Sequence, residues 1–426
     1  MFGSIPNVCN LGHNYNVVSF KIENISRHLL WAISSKVKLS NVIFIRQFPE
    51  SPNDFYTPSN LNSQQYKLYT NAILRTLQDY EELNLHLYKI IEKEYLERFI
   101  HRKGSPKSQI DIHNIVLGIT QYVLPRSSTV SVQFDITIDD LITICDLCSD
   151  VEFAQEARLV IFDMAKNIIP LENILNQENI NINIAENCRT TSGFDKFVAS
   201  GPYTSAKLLS VQPDNSNINF LMATTMGIGI NPLDFYDFEK SLKDRTFKAM
   251  EQIRYQFAIK TSLLADEFMN LNKFKIKKLF PSLLCLIGDK DNYHIPWPIE
   301  NDNCLSKYIL SVETSIVNAT DLLNTTPSGL YLMPNSWILR NIYSIDLPTH
   351  INVCRQAMCM SSMKELWQLY RQLSIETIKV HPQIKSHLMP PCHHKKNGPP
   401  CPYKLSYCGN QIWKENVFAP DFKRTY

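Results

Sequence analysis

The stretch Gly12 to Phe48, GHNYNVVSFKIENISRHLLWAISSKVKLSNVIFIRQF, decides how the rest of the chain is read. Val17 to Glu23 has the β-branched and aromatic composition of a strand. Ser26 then stands where a helix N-cap belongs, its hydroxyl able to accept from an otherwise orphan backbone N–H. Leu29, Leu30 and Ile33 follow at helical spacing, so the strand is expected to feed an amphipathic helix.

Working outward, Pro49, Pro52 and Pro58 rule out a continuous helix and mark a loop. From Ser63 to about Phe99, Leu68, Ala72, Leu77, Tyr80, Leu87, Ile91 and Tyr95 recur among charged positions. That pattern predicts one long helix, or two with a break near Asn84. After Tyr122-Val-Leu-Pro125, Val130, Val132, Phe134, Ile136 and Ile138 alternate with polar residues, which predicts a strand with one face buried. Asp139 and Asp140 are expected to cap the helix that follows and continues past Ala154 to Lys166.

Between Leu171 and Ser205 the composition shifts to Asn, Ser, Thr and Gly, as in a surface crossing or linker. Beyond it the first half is echoed: Tyr331-Leu-Met-Pro334 answers Tyr122-Val-Leu-Pro125, Cys354 answers Cys145, and Phe257-Ala-Ile259 answers Phe20-Lys-Ile22. We therefore expect an α+β chain of two units, residues 1–180 and 205–385, joined by a linker at 181–204 and followed by a tail at 386–426.

The 426 residues suffice for two or three domains, and 44% hydrophobic content is ample for packed cores. Forty-three basic against forty-one acidic residues leave no chain-wide charge that indicates nucleic acid. No apolar run approaches the roughly eighteen residues of a membrane span, and the N-terminus lacks the charged-then-apolar pattern of a signal peptide. Eleven scattered cysteines suit reduced thiols in a cytoplasm or organelle matrix better than a disulfide framework. Gly227-Ile-Gly229 lacks the third glycine of a dinucleotide loop, since Pro232 stands there. Cys145 and Cys148 have redox spacing, but on a helix they are expected to pack.

Gly12-His13, the strand ending Phe20-Lys-Ile-Glu23, and Ile25-Ser26-Arg27 opening a helix together resemble the flavin-dependent thymidylate synthases. The Leu124-Pro125 turn, Ala154-Gln155, and the Leu208-Leu-Ser210 strand with its Pro213-Asp214 turn resemble further parts of that family. The resemblance implies two tandem units of the thymidylate-synthase-complementing type, each a small sheet with long helices. It also implies FAD as cofactor, dUMP, methylene-tetrahydrofolate and NADPH as partners in dTMP biosynthesis, and methyltransferase chemistry. By position it places flavin contacts on His13, Arg27, Lys36, Ser40 and Arg46.

The site motifs depart from the family pattern. An Arg-His-Arg triplet is replaced by Ser35-Lys36-Val37, and Arg46-Gln47-Phe48 lies one place out of register with an Arg-Tyr pair. A lone lysine offers a point charge without the bidentate fork of arginine. The chain is expected to be a catalytically degenerate homologue, a pseudoenzyme serving as a structural or assembly subunit with other subunits or its own copies as partners. The alternative is an active FAD-dependent synthase.

The tail HLMPPCHHKKNGPPCPYKLSYCG, His387 to Gly409, resembles an ending found in some members of the family. Cys392, His393, Cys401 and Cys408 supply enough nitrogen and sulfur donors for a tetrahedral zinc, although the spacing lacks the tight pairs of zinc ribbons. The other reading is a cluster of reduced cysteines that orders the loop.

Overall fold

The computed structural model describes residues 4–98, 106–169, 204–213, 250–271, 277–278, 292–359, 362–394, 416–419 and 422. Among them are helices and two small antiparallel sheets, an α+β fold. No described helix is long and apolar enough to cross a membrane.

The first sheet contains β1 (Asn7–Asn14), β2 (Val17–Ser26), β3 (Ser40–Arg46) and β4 (Thr129–Thr137), in the order β1-β2-β4-β3. Gly12 sits where β1 slips register against β2, with φ of +130, a conformation that L side chains avoid. The alternation expected in β4 is present: Val130, Val132, Phe134 and Ile136 are buried while Gln133 and Asp135 are partly exposed. Between β2 and β3 lies α1 (Arg27–Lys36), and between β3 and β4 lie α2 (Ser63–Arg98) and α3 (Pro106–Thr120). The apolar stripe from Ser63 onward forms a single helix with no break at Asn84.

After β4 come α4 (Ile138–Ile144), a 3-10 turn at Cys145–Cys148, and α5 (Ala154–Ala165). The cap of α4 is Thr137, which accepts from Asp140 N–H at 3.1 Å, while Asp139 and Asp140 occupy the first turn. The expected aspartate cap is thus corrected. The strand ends one residue earlier than its hydrophobic pattern, so the threonine takes the boundary and the acids face the positive end of the helix dipole.

The second sheet has the order β5-β6-β8-β7, from β5 (Ser205–Gln212), β6 (Arg254–Ser262), β7 (Lys277–Lys278) and β8 (Ile338–Asp346). Among the described residues four further α-helices are α6 (Leu263–Leu271), α7 (Leu305–Leu323), α8 (Leu347–Ala357) and α9 (Lys364–Val380). The order strand, strand, helix, strand recurs, but between β7 and β8 the described residues hold one α-helix, α7, where α2 and α3 lie between β3 and β4.

Backbone hydrogen bonds repeat along with the elements. Arg27 N–H donates to Ser128 O at 3.0 Å and Leu263 N–H to Trp337 O at 2.7 Å. Tyr56 N–H donates to Ser127 O at 2.8 Å and His294 N–H to Ser336 O at 2.9 Å. Ile138 N–H donates to Asn16 O, and Leu347 N–H to Ile253 O. Two segments also bond reciprocally about the Pro125–Pro334 bridge: Arg126 N–H to Met333 O and Asn335 N–H to Leu124 O, each 2.8 Å.

The compact units are interleaved along the chain. One comprises residues 1–197, 262–273 and 280–339; the other comprises 198–261, 274–279 and 340–426. Helices α6 and α7 thus belong to the first unit. In the second unit, α9 lies along β5, and Val417, Ala419 and Phe422 meet α9. Arg371 donates to Val417 O at 2.7 Å and to Ala419 O at 2.6 Å, and Trp367 meets Phe422 at 5.7 Å between ring centroids. That part of the tail is held to the unit.

Candidate functional site

A buried polar cluster lies where β2 runs into α1. Ser26 is the N-cap, its hydroxyl accepting from Leu29 N–H at 3.0 Å. Beneath it lies Glu156 of α5, fully buried, which accepts from Ser26 N–H at 2.8 Å, Ser26 Oγ–H at 2.5 Å and Tyr331 Oη–H at 3.1 Å. Burial pushes the Glu156 carboxyl up to about 7, against the opposing pull of the Ser26 and Tyr331 hydrogen bonds.

Aromatic rings close this pocket of polarity. His28 lies 4.6 Å from Phe153 and 4.7 Å from Tyr331, and Tyr331 lies 5.0 Å from Tyr56, between ring centroids. Burial, aided by the charge of Arg126, takes His28 down to about 3, so the imidazole is neutral. Its Nε2 is 3.3 Å from Glu152 O, which makes Nε2 the protonated nitrogen.

Beside it is a charge cluster with no solvent exposure. Arg27 Nη1 meets Glu267 Oε1 at 2.6 Å and Arg126 Nη1 meets Glu267 Oε2 at 2.8 Å, so one carboxylate bridges two guanidinium groups. Arg27 also donates to Gln47 O at 2.8 Å, and Arg126 donates to Asn335 Oδ1 at 2.9 Å and to Arg27 O. Asp266 accepts from Trp31 Nε1–H at 2.7 Å and adds the second negative charge. Burial lowers Arg126 from the usual arginine range, offset in part by the Glu267 charge. Removing one partner of such a cluster typically costs about 3–5 kcal/mol, because a buried charge is left unpaired.

Of the residues expected to contact flavin, Arg27 is therefore wholly internal. Arg46 pairs with Asp54 and donates to Asn24 Oδ1 at 2.8 Å and Thr129 Oγ1 at 2.9 Å. Lys36 pairs with Asp146 Oδ2 at 2.6 Å, and Ser40 Oγ–H donates to Asp135 O at 3.4 Å. His13 lies opposite Val18 in β1; its side chain lies outside the described residues. The fold brings Ser40 and Arg46 onto β3 and joins Arg27 to the end of that strand through Gln47 O, while Lys36 faces the 3-10 turn after α4.

Cys392 and His393 occupy a 3-10 turn at Pro391–His394, whereas Cys401 and Cys408 lie outside the described residues, as does Gly227-Ile-Gly229. Cys145 and Cys148 are buried in the 3-10 turn, and burial raises both thiols, Cys148 to about 12. Thiols held that far above their ordinary value are poor nucleophiles.

Sequence reasoning missed Arg126, Glu156, Asp266 and Glu267. Arg126 directly follows the Leu-Pro turn and Glu156 directly follows Ala154-Gln155, so both stood beside quoted motifs. The partner of Arg27, by contrast, is 240 residues away, and no local pattern announces it. No protein-family model matches this chain, and no curated protein matches it.

Proposed function

We propose that the chain is a tandem relative of the flavin-dependent thymidylate synthases whose site region has become a structural core, and that it acts as a non-catalytic structural or assembly subunit. The observation that carries this reading is Glu267 bridging Arg27 and Arg126. A flavin diphosphate or a nucleotide phosphate needs cations whose donors point to the ligand. Arg27 and Arg126 are sealed away, and Arg46 and Lys36 each face a carboxylate.

These residues do not fit a bound flavin, and no chemical step through one follows from them. The repeated element order and repeated hydrogen bonds support the tandem part of the reading. The cysteine content suits a reducing compartment, cytoplasm or organelle matrix.

The test is the visible spectrum of the purified full chain after incubation with excess FAD and desalting, together with calorimetric titration of FAD and of dUMP. We expect no retained flavin band and no measurable heat of binding. A stoichiometric flavin spectrum, or dUMP binding in the micromolar range, restores the synthase reading.

A further inference from the structure

We infer that His86, Asp302 and Cys304 form a divalent cation site of zinc type, three protein ligands with a fourth position left for water. His86 lies on α2, Asp302 just before α7, and Cys304 is the N-cap of α7, all within the first compact unit. One ligand atom from each, the imidazole nitrogen, a carboxylate oxygen and the sulfur, lie within 4.8 Å of one another. His86 Nε2 is 2.6 Å from Asp302 Oδ1.

The chain sets the carboxylate and the thiol on one side of a turn. Asp302 N–H donates to Ile299 O at 3.1 Å, and its Oδ1 accepts from Cys304 N–H at 2.9 Å. In a tetrahedral zinc site, bond lengths of about 2.0–2.3 Å place the ligand atoms roughly 3.3–3.6 Å apart. The His86–Asp302 contact has to open by about 1 Å and the widest separation to close by a similar amount. Side-chain torsions can supply both movements.

The donor set selects the metal. Imidazole and thiolate favour zinc over magnesium or calcium, which take oxygen ligands. The His86 side chain is 41% exposed, so the site is open to solvent on that side, while Cys304 is buried. Glu82, one turn before His86, pairs with Lys307, one turn after Cys304, so the nearby lysine charge is already compensated. Binding replaces the Cys304 S–H bond with a Zn–S bond, and the proton leaves to solvent. The ion would tie α2 to the start of α7 across 216 residues of sequence.

The experiment uses the full chain, stripped of metal with a chelator and titrated with zinc chloride against a chromogenic competitor, then repeated with cobalt(II). Three further proteins are compared: His86→Ala, Cys304→Ser, and a chain with Cys392, Cys401 and Cys408 changed to serine. We expect the tail-substituted chain to keep one zinc equivalent. His86→Ala and Cys304→Ser should each lose that equivalent or weaken it by at least about tenfold. Cobalt should give a thiolate-to-metal charge-transfer band that Cys304→Ser abolishes. His86 is exposed, so its variant should melt like the parent without metal, which separates ligand loss from misfolding. Absence of zinc uptake in the tail-substituted chain, or parental affinity in either ligand variant, overturns the site.

Discussion

At Glu156 a single carboxyl couples the cap of α1 to α5 and to Tyr331, and it does so without a cation beside it. Burial keeps the folded carboxyl protonated up to about 7, whereas the ordinary carboxyl releases its proton near 4.5. Between those values the folded state holds more protons than the unfolded state. Stability from this group is therefore complete below about 4.5 and falls as pH rises toward 7, by an order of 3 kcal/mol in all. Glu156→Gln keeps an acceptor for Ser26 N–H and removes the titration. The free energy of urea unfolding, measured stepwise from pH 4.5 to 7.5, should fall less steeply in the variant than in the parent. Equal slopes in the two proteins would mean that Glu156 ionises like a surface glutamate.

At the scale of elements, the helix starts show how capping and burial combine. Ser26 satisfies Leu29 N–H and also donates to Glu156, so its hydroxyl holds a helix end and fills a buried acceptor. Thr137 caps Asp140 N–H at a half-exposed position. We expect Thr137→Ala to cost about 1 kcal/mol, the usual value of a lost cap. Ser26→Ala should cost about 2 kcal/mol, because a buried hydrogen bond to the carboxyl goes as well. Chemical denaturation of the two variants checks the order, and an equal or reversed cost would show that the Ser26–Glu156 bond contributes little. The cap at Ser26, the strand after Ser128 and the helix from Ser63 were legible because each is written in local spacing: a hydroxyl before an apolar run, a period of two, a period near four. The cap at Thr137 was misplaced because two acids just inside the helix carry the same local message as a cap.

For the whole molecule, local spacing stops helping, and long-range pairing decides what folds with what. The α+β class and the echo of Tyr122-Val-Leu-Pro125 in Tyr331-Leu-Met-Pro334 were visible in the sequence, and the second of these now marks reciprocal hydrogen bonds about Pro125 and Pro334. Nothing in either stretch shows that Arg27 and Arg126 would be neutralised by Glu267, since charge pairing leaves no periodic trace. The interleaving of the first compact unit with residues 262–273 and 280–339 has a testable consequence. Residues 1–204 expressed alone would keep β1 to β4 but lose Glu267 for both arginines, Asp266 for Trp31, Tyr331 for Glu156 and Asn335 for Arg126. At about 3–5 kcal/mol for each broken pair, two desolvated guanidinium groups without a carboxylate cost an amount comparable to the usual 5–15 kcal/mol of domain stability. The fragment should therefore be insoluble or lack a cooperative thermal transition. Co-expression with residues 205–426 should restore a soluble complex of the two pieces that melts as one transition for the first unit. If residues 1–204 alone fold cooperatively, with slow amide exchange in β2 and α1, the shared charge cluster is dispensable, and the case for the site region as a structural core falls with it.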